Sequence, residues 1–334
     1  MKPASGTFAA LRSPRRRSLL RLTAACAAAS AGLGAAAPTG LRDDAWTDAE
    51  RRRRLPWRLR LPATPGPWPL VLFSHGLGGS RQGGEVWGEA WRAAGIAVLH
   101  PQHPSSDTDS LRGGLDGLRA AASPQQLVAR AQDVRFMLDE IERRARADEA
   151  PWNEMRLDAI GLSGHSFGAH TTQALAGQRY PAPGSLADTR PRAFIAFSPS
   201  APAGGRMTPA QAFGTVTRPF MAVTGSLDGD PLGGDNHGER RASVYDGLPP
   251  GQRALLWLDG ADHMSFGGQR PGSVPDVGPF RRQPPAPERE AAHHSLIARV
   301  STLWWRAGLL EDVEARAALA APQALAAGDR FLRG

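Results

Sequence analysis

From Leu55 to Leu61 the chain alternates strictly: Trp57, Leu59 and Leu61 are apolar, with Arg58 and Arg60 between them. That period of two predicts an antiparallel strand at the edge of a sheet. A Pro/Gly turn follows over Pro62–Pro69, and then Leu70-Val71-Leu72-Phe73 runs apolar without a polar break, the pattern of a strand buried on both faces. Val86, Trp87, Ala90 and Trp91 shift to helical spacing across Glu85–Ala94. Gly95 stops that helix, and Ile96–Leu99 is a second buried strand. Two stretches carry no period. Residues 38–54 are expected to be an irregular leader, and the polar, Gly-rich 101–123 a long surface loop beside a pocket.

Ser123-Pro124 then pairs a capping residue with a proline at the first helical position. Leu127, Ala131, Val134, Leu138 and Ile141 give that helix one inward face. Leu157–Ser163 reads as a short buried strand and Ala169–Ala176 as a helix. Ala193–Phe197, Phe220–Val223 and Ala254–Leu258 are further apolar strands. Ala291–Ala307 is a last helix, with Leu296, Val300, Leu303 and Trp304 inward. Strands alternating with helices predict an α/β fold: a mostly parallel, doubly wound sheet with helices on both faces. No internal repeat interrupts it.

Composition changes the picture mainly at the N-terminus. Lys2, Arg12, Arg15, Arg16, Arg17 and Arg21 precede a small-residue apolar run, Leu22–Ala37, ending in Ala35-Ala36-Ala37. Residues 1–37 are therefore expected to be an export signal with an A-x-A cleavage site. Arg16-Arg17-Ser18-Leu19-Leu20 resembles the twin-arginine type. Removing those six charges takes the net charge from +8 to about +2, so a nucleic-acid partner is not expected. The basic run Arg51–Arg54 lies among Asp43, Asp44, Asp48 and Glu50 and reads as a solvated or salt-bridged surface. No later stretch approaches the roughly 20 apolar residues of a membrane span. Cys26, the one cysteine, lies inside the signal. Thr23 stands where a lipoprotein box prefers leucine, so lipidation is not expected. The exported chain (38–334, read as one domain, in the periplasm or outside the cell) then has no disulfide and no thiol nucleophile.

The chemistry concentrates at predicted strand ends, where open α/β sheets place their sites. Gly164-His165-Ser166-Phe167-Gly168 joins a strand to a helix. A serine on so tight a turn is held in a strained conformation with its hydroxyl raised clear of the sheet, and the glycines are needed where a Cβ would collide. Ser166 is the candidate nucleophile. His75-Gly76-Leu77-Gly78-Gly79 follows another strand, and the N–H groups of Leu77 and Phe167 are the candidate oxyanion donors. Asp228, after Phe220–Val223, is the candidate acid, with Asp230 as the alternative. His263, after Ala254–Leu258, is the candidate base. The order Ser166…Asp228…His263 is that of the α/β hydrolases rather than of the chymotrypsin or subtilisin types. His75, His165, Met264 and Phe266 are candidates to shape or line the substrate site, with Trp87, Trp91 and Phe167 as further apolar candidates and His170 as another shaping residue. His237, His293 and His294 read as surface residues. The Asp228/Asp230/Asp235/Asn236 cluster lacks the frame and closing glutamate of a calcium loop, so neither metal nor cofactor is expected.

Phe73-Ser74-His75-Gly76-Leu77-Gly78 together with Gly164-His165-Ser166-Phe167-Gly168 resembles the platelet-activating-factor acetylhydrolase group of the α/β-hydrolase superfamily. The pair is also similar to proteins described as predicted dienelactone hydrolases and, more distantly, to cutinase-like polyesterases. The resemblance covers about residues 45–310 and implies the α/β-hydrolase fold with a Ser-His-Asp triad. Two departures stand out. In the acetylhydrolases the acid follows the strand after the nucleophile helix, whereas Phe197-Ser198-Pro199-Ser200 holds none, which favours Asp228. Dienelactone hydrolases use a cysteine nucleophile, which the exported chain lacks.

The residues thus lead to an exported serine carboxylesterase acting on small-molecule or lipid esters. Lipase, polyesterase, amidase or peptidase activity on the same scaffold is the nearest alternative. A non-catalytic hydrolase-fold binding module is the other.

Overall fold

The computed structural model describes residues 40–181, 184–202, 206–270 and 280–334. The expected export signal, Cys26 included, lies outside the described residues.

Among the described residues nine strands form one sheet: β1 (Leu41–Asp48), β2 (Arg53–Arg60), β3 (Trp68–Ser74), β4 (Ala97–Pro101), β5 (Met155–His165), β6 (Ala193–Phe197), β7 (Phe220–Leu227), β8 (Arg253–Asp262) and β9 (Arg330–Arg333). Their order is β1-β2-β4-β3-β5-β6-β7-β8-β9. The six from β4 to β8 are mutually parallel, and β1, β2 and β9 pair antiparallel at the two margins. The architecture is α/β with a mostly parallel sheet.

Successive side chains of a strand point to opposite faces, so each apolar run feeds two cores. Leu70, Leu72, Phe194 and Ala196 face one, beneath α3 (Pro124–Arg146), α4 (Phe167–Ala176), α5 (Pro209–Phe213) and α6 (Gly238–Gly247). Val71, Phe73, Ile195 and Phe197 face the other, beneath α1 (Glu85–Ala93) and α7 (Ala286–Leu309). The predicted cap of α3 is present: the Ser123 hydroxyl accepts from the Gln126 N–H at 3.4 Å, ahead of Pro124.

Several expectations are corrected. Residues 41–48 are a strand, not part of an irregular leader, so Leu55–Arg60 of the expected edge strand lies in β2, flanked on both sides, and Leu61 falls just past its end. The charges of β1 hid it; Asp43 pairs with Arg58 across the ladder at 2.7 Å, and Trp46 closes on Trp57 and Trp152 with ring centroids 5.2 and 4.9 Å away. The segment 101–123 is largely ordered turn and helix, with a 3-10 turn at Thr108–Gly113 and α2 at Gly114–Ala121. The terminal helix α7 begins at Ala286, and its buried face takes in His293 and His294, which are not surface residues. A short helix α8 (Val313–Ala318) and the Arg-rich β9 close the chain; neither has a sequence period long enough to read.

Candidate active site

The carboxyl ends of β3, β5, β6, β7 and β8 carry Ser74, His165, Phe197, Leu227 and Asp262, and the chemistry gathers just beyond them. Ser166 sits between β5 and α4 with φ +56° and ψ −115°, a backbone region that disfavours any side chain. Its N–H donates to the Phe197 carbonyl at 2.9 Å, and its carbonyl accepts from His170 N–H at 3.0 Å. A Cβ on Gly164 or Gly168 would run into the Ser74 carbonyl, so the turn can pack against β3 only if both positions are glycine. The tight packing leaves the Ser166 hydroxyl partly exposed while its neighbours are buried.

His263 opens a short turn after β8, and its Nε2 lies 2.9 Å from Ser166 Oγ. Its Nδ1 lies 2.8 Å from Asp228 Oδ1. A carboxylate only accepts, so Nδ1 carries the proton and Nε2 is left to accept from the serine. Two anchors hold the imidazole's main chain. His165 Nε2–H donates to the His263 carbonyl at 2.9 Å, and the Asp262 carboxylate caps the turn through Ser265 N–H while pairing with Arg282. Burial, and then the neighbouring His263, lower the His165 pKa to about 3, so it stays neutral.

Asp228 is fully buried. Burial pushes its carboxyl up, but the Arg241 guanidinium 3.1 Å away and hydrogen bonds from His263 and Thr224 outweigh it, and the pKa falls below the ordinary value. Asp230, the alternative acid, instead accepts from Leu232 N–H at 2.9 Å within its own loop. Sequence reasoning missed Ser198 and Arg241. Ser198 Oγ donates to Asp228 Oδ1 at 2.8 Å and lies 2.9 Å from His263 Nδ1, from a backbone with φ +56°. The only sequence signal for it was a hydroxyl residue directly after a buried strand. Arg241 also donates to the carbonyls of Asp228, Pro199 and Gly229, which ties the acid's loop to that of Ser198.

Gly76–Gly79 is a turn closed by Gly79 N–H on the Gly76 carbonyl at 3.1 Å, with Gly78 at φ +71°. It abuts the serine, since a Cβ on Gly76 would lie 3.4 Å from Ser166 Cβ. Neither the Leu77 nor the Phe167 N–H has a protein acceptor among the described residues. Phe167 is the first residue of α4, where such orphan donors and the positive end of the helix dipole coincide. His75 is buried; its Nδ1–H donates to the Gly76 carbonyl at 2.6 Å, and its Nε2 accepts from His103 N–H at 3.0 Å. His75 and His165 therefore brace the site from behind rather than line it. Met264 borders the groove beside His263, whereas Phe266, Trp87 and Trp91 are entirely buried in the core.

A second Ser–His–Asp chain lies inside the fold. Ser74 Oγ is 3.1 Å from His103 Nε2, His103 Nδ1 is 3.1 Å from Asp133, and Asp133 is clamped by Arg51 and Arg53 at 2.7 and 2.8 Å. All of Ser74, His103 and Asp133 are buried, which denies the set a substrate.

A groove of about 600 Å³ runs from His263 past Gly229, Asp230, Met264 and Arg281. A larger cavity of about 830 Å³ lies away from these residues, among Arg218, Arg253, Trp304 and Phe331. Among the described residues no group of three or more His, Cys, Asp or Glu side chains is arranged to hold a metal ion. No helix among them is long and apolar enough to cross a membrane. Neither a family model nor a curated protein matches this chain.

Proposed function

We propose that this chain is an exported serine hydrolase of the α/β-hydrolase type that cleaves carboxylic esters through an acyl-enzyme. One observation carries the reading: the strained, partly exposed Ser166 hydroxyl, the His263 imidazole and the buried Asp228 carboxylate form one hydrogen-bonded line, 2.9 and 2.8 Å per link. The strand order, with its antiparallel β2 and parallel block from β4 to β8, is compatible with that fold.

In the proposed reaction Ser166 Oγ attacks the ester carbonyl as His263 Nε2 takes its proton. The carbonyl π electrons move onto oxygen, and the Leu77 and Phe167 N–H groups receive the resulting oxyanion. Two such donors, preorganised for the charged intermediate, are each worth about 3–4 kcal/mol of barrier. Collapse expels the alcohol, which leaves with the proton held on His263. Water, deprotonated by the same nitrogen, then attacks the acyl-serine and releases the acid. Asp228 stays ionised throughout, holding the imidazole in its tautomer and offsetting its charge.

The test is hydrolysis of p-nitrophenyl esters from acetate to palmitate by the protein and by Ser166→Ala. Loss of turnover in the variant supports the mechanism, and the chain-length profile separates esterase from lipase. A folded wild type inert towards every ester, yet active on p-nitroanilides, moves the reading to an amidase.

A further inference from the structure

Arg130, on α3, is entirely buried, yet none of the described carboxylates forms an ion pair with its guanidinium within 4.0 Å. Burial lowers its pKa to about 9, which leaves it charged at neutral pH. Its hydrogen-bond partners are all neutral, and the carboxylates of Asp133 and Asp107 favour its charge only from beyond ion-pair distance. Nε donates to Thr171 Oγ1 at 3.0 Å, Nη1 to Ser106 Oγ at 3.0 Å, and Nη2 to the His75 carbonyl in a short contact. Its guanidinium carbon stands 4.8 Å from the centre of the Phe167 ring.

These contacts reach both of the orphan N–H donors. On one side the His75 carbonyl lies two residues before Leu77, and the Ser106 carbonyl accepts from Gly78 N–H at 2.9 Å. On the other, Thr171 Oγ1 donates to the Phe167 carbonyl at 2.9 Å, and the Phe167 ring lies against the cation. The loop after β3 and the start of α4 are far apart in sequence, and one rigid fork spans them. Desolvating a cation that has no carboxylate in direct contact is unfavourable, and Asp133 and Asp107 offset only part of that cost. An apolar side chain could fill the same space without that penalty; only arginine adds a rigid planar fork that reaches three separate acceptors together with a positive charge.

We propose that Arg130 is the positioning residue of the oxyanion site, setting the Leu77 and Phe167 donors in register and placing a buried positive charge behind them. The proposal rests on the esterase reading. Positive charge behind the donors favours the anionic intermediate over the neutral ester, so Arg130 acts on kcat rather than on ground-state binding.

The test compares wild type, Arg130→Met, Arg130→Lys and Ser166→Ala on p-nitrophenyl acetate. Rates are normalised to active sites counted by the p-nitrophenolate burst from a p-nitrophenyl phosphonate. Arg130→Met is expected to lower kcat per site about ten- to a hundredfold with KM within about twofold. Inhibition by a trifluoromethyl ketone, whose serine adduct is an oxyanion, should weaken by the same factor, and Arg130→Lys should recover part of both. A structural strut predicts something else, fewer titratable sites with unchanged kcat per site, and that result overturns the proposal. If Arg130→Met does not fold, Thr171→Val removes one tether; it should lower kcat and inhibitor affinity together, and no change in either overturns the proposal. Turnover surviving in Ser166→Ala brings down the esterase reading and this inference with it. A dead Ser166→Ala beside an undiminished Arg130→Met brings down this inference alone.

Discussion

Ser198 Oγ lies 2.9 Å from His263 Nδ1 and donates to the carboxylate oxygen of Asp228 that the imidazole also uses, so three atoms from three strand ends close a triangle. A hydroxyl there restrains both partners of the His–Asp pair. It is held in a positive-φ backbone, which is kept only where surrounding contacts over-determine it. Ser198→Ala should therefore leave the fold and KM unchanged and lower kcat about ten- to a hundredfold, the worth of one hydrogen bond to a charged carboxylate. Steady-state kinetics on p-nitrophenyl butyrate checks this, and an unaltered kcat assigns Ser198 to packing alone.

The acid is distinguished from its neighbour by substitution. Asp228→Asn keeps the shape but turns an acceptor-only group into one that can donate, which disturbs the imidazole tautomer; kcat should fall about 10⁴-fold. Asp230→Asn disturbs only its own loop and should stay within about threefold of wild type. A reversal of the two effects would mean that the groove rearranges when substrate binds.

Ser166 stores strain that function requires. Ser166→Gly and Ser166→Ala both lose the hydroxyl, but only glycine relieves φ +56°, ψ −115°. The glycine variant should be the more stable of the two by about 1 kcal/mol, or about 2 °C in Tm, after its greater unfolded-state entropy is subtracted. Thermal melts of the pair decide it; equal melting points would place no strain at the turn.

Acid should weaken the fold from a defined pH. Burial foremost lowers the pKa of His100 and His165 to about 3 and that of His103 to about 4. In the unfolded chain all three take up protons near pH 6.5. Stability is therefore fully present above about 6.5 and falls as the pH drops, by about 1.4 kcal/mol per pH unit for each histidine, until the folded values are reached. Asp133, held low against its own burial by His103 and Arg53, adds a loss only below about pH 4, where the unfolded carboxyl protonates. Urea midpoints at pH 7.5, 6.0 and 5.0 should descend accordingly, and a flat series would show that these histidines titrate freely.

Local pattern was enough to read the strands that build the middle of the sheet. Leu70–Phe73, Ala193–Phe197 and Phe220–Val223 are buried on both faces, so nearly every side chain had to be apolar. Gly164 and Gly168 were legible for a related reason, since a close backbone approach excludes any other residue. The margins were not legible. β1 is exposed over most of its length and β9 over nearly all of it, and their stability leans on pairing with β2 and β8, to which no periodicity of their own refers. Spacing alone also left Asp228 and Asp230 open. In the folded chain Asp228 lies within hydrogen-bond reach of His263 just past the irregular pairing of β7 and β8 at Gly225–Leu227, while Asp230 is bonded within its own loop. Ser198, Arg241 and Arg130 act on partners dozens of residues away, so only the folded chain assigns them. The residue types at the strand ends and the order Ser166, Asp228, His263 belong to the sequence. Which of those groups share a proton, and what charge is buried behind them, is set by tertiary packing, because hydrogen bonds and desolvation depend on distances that no local period records.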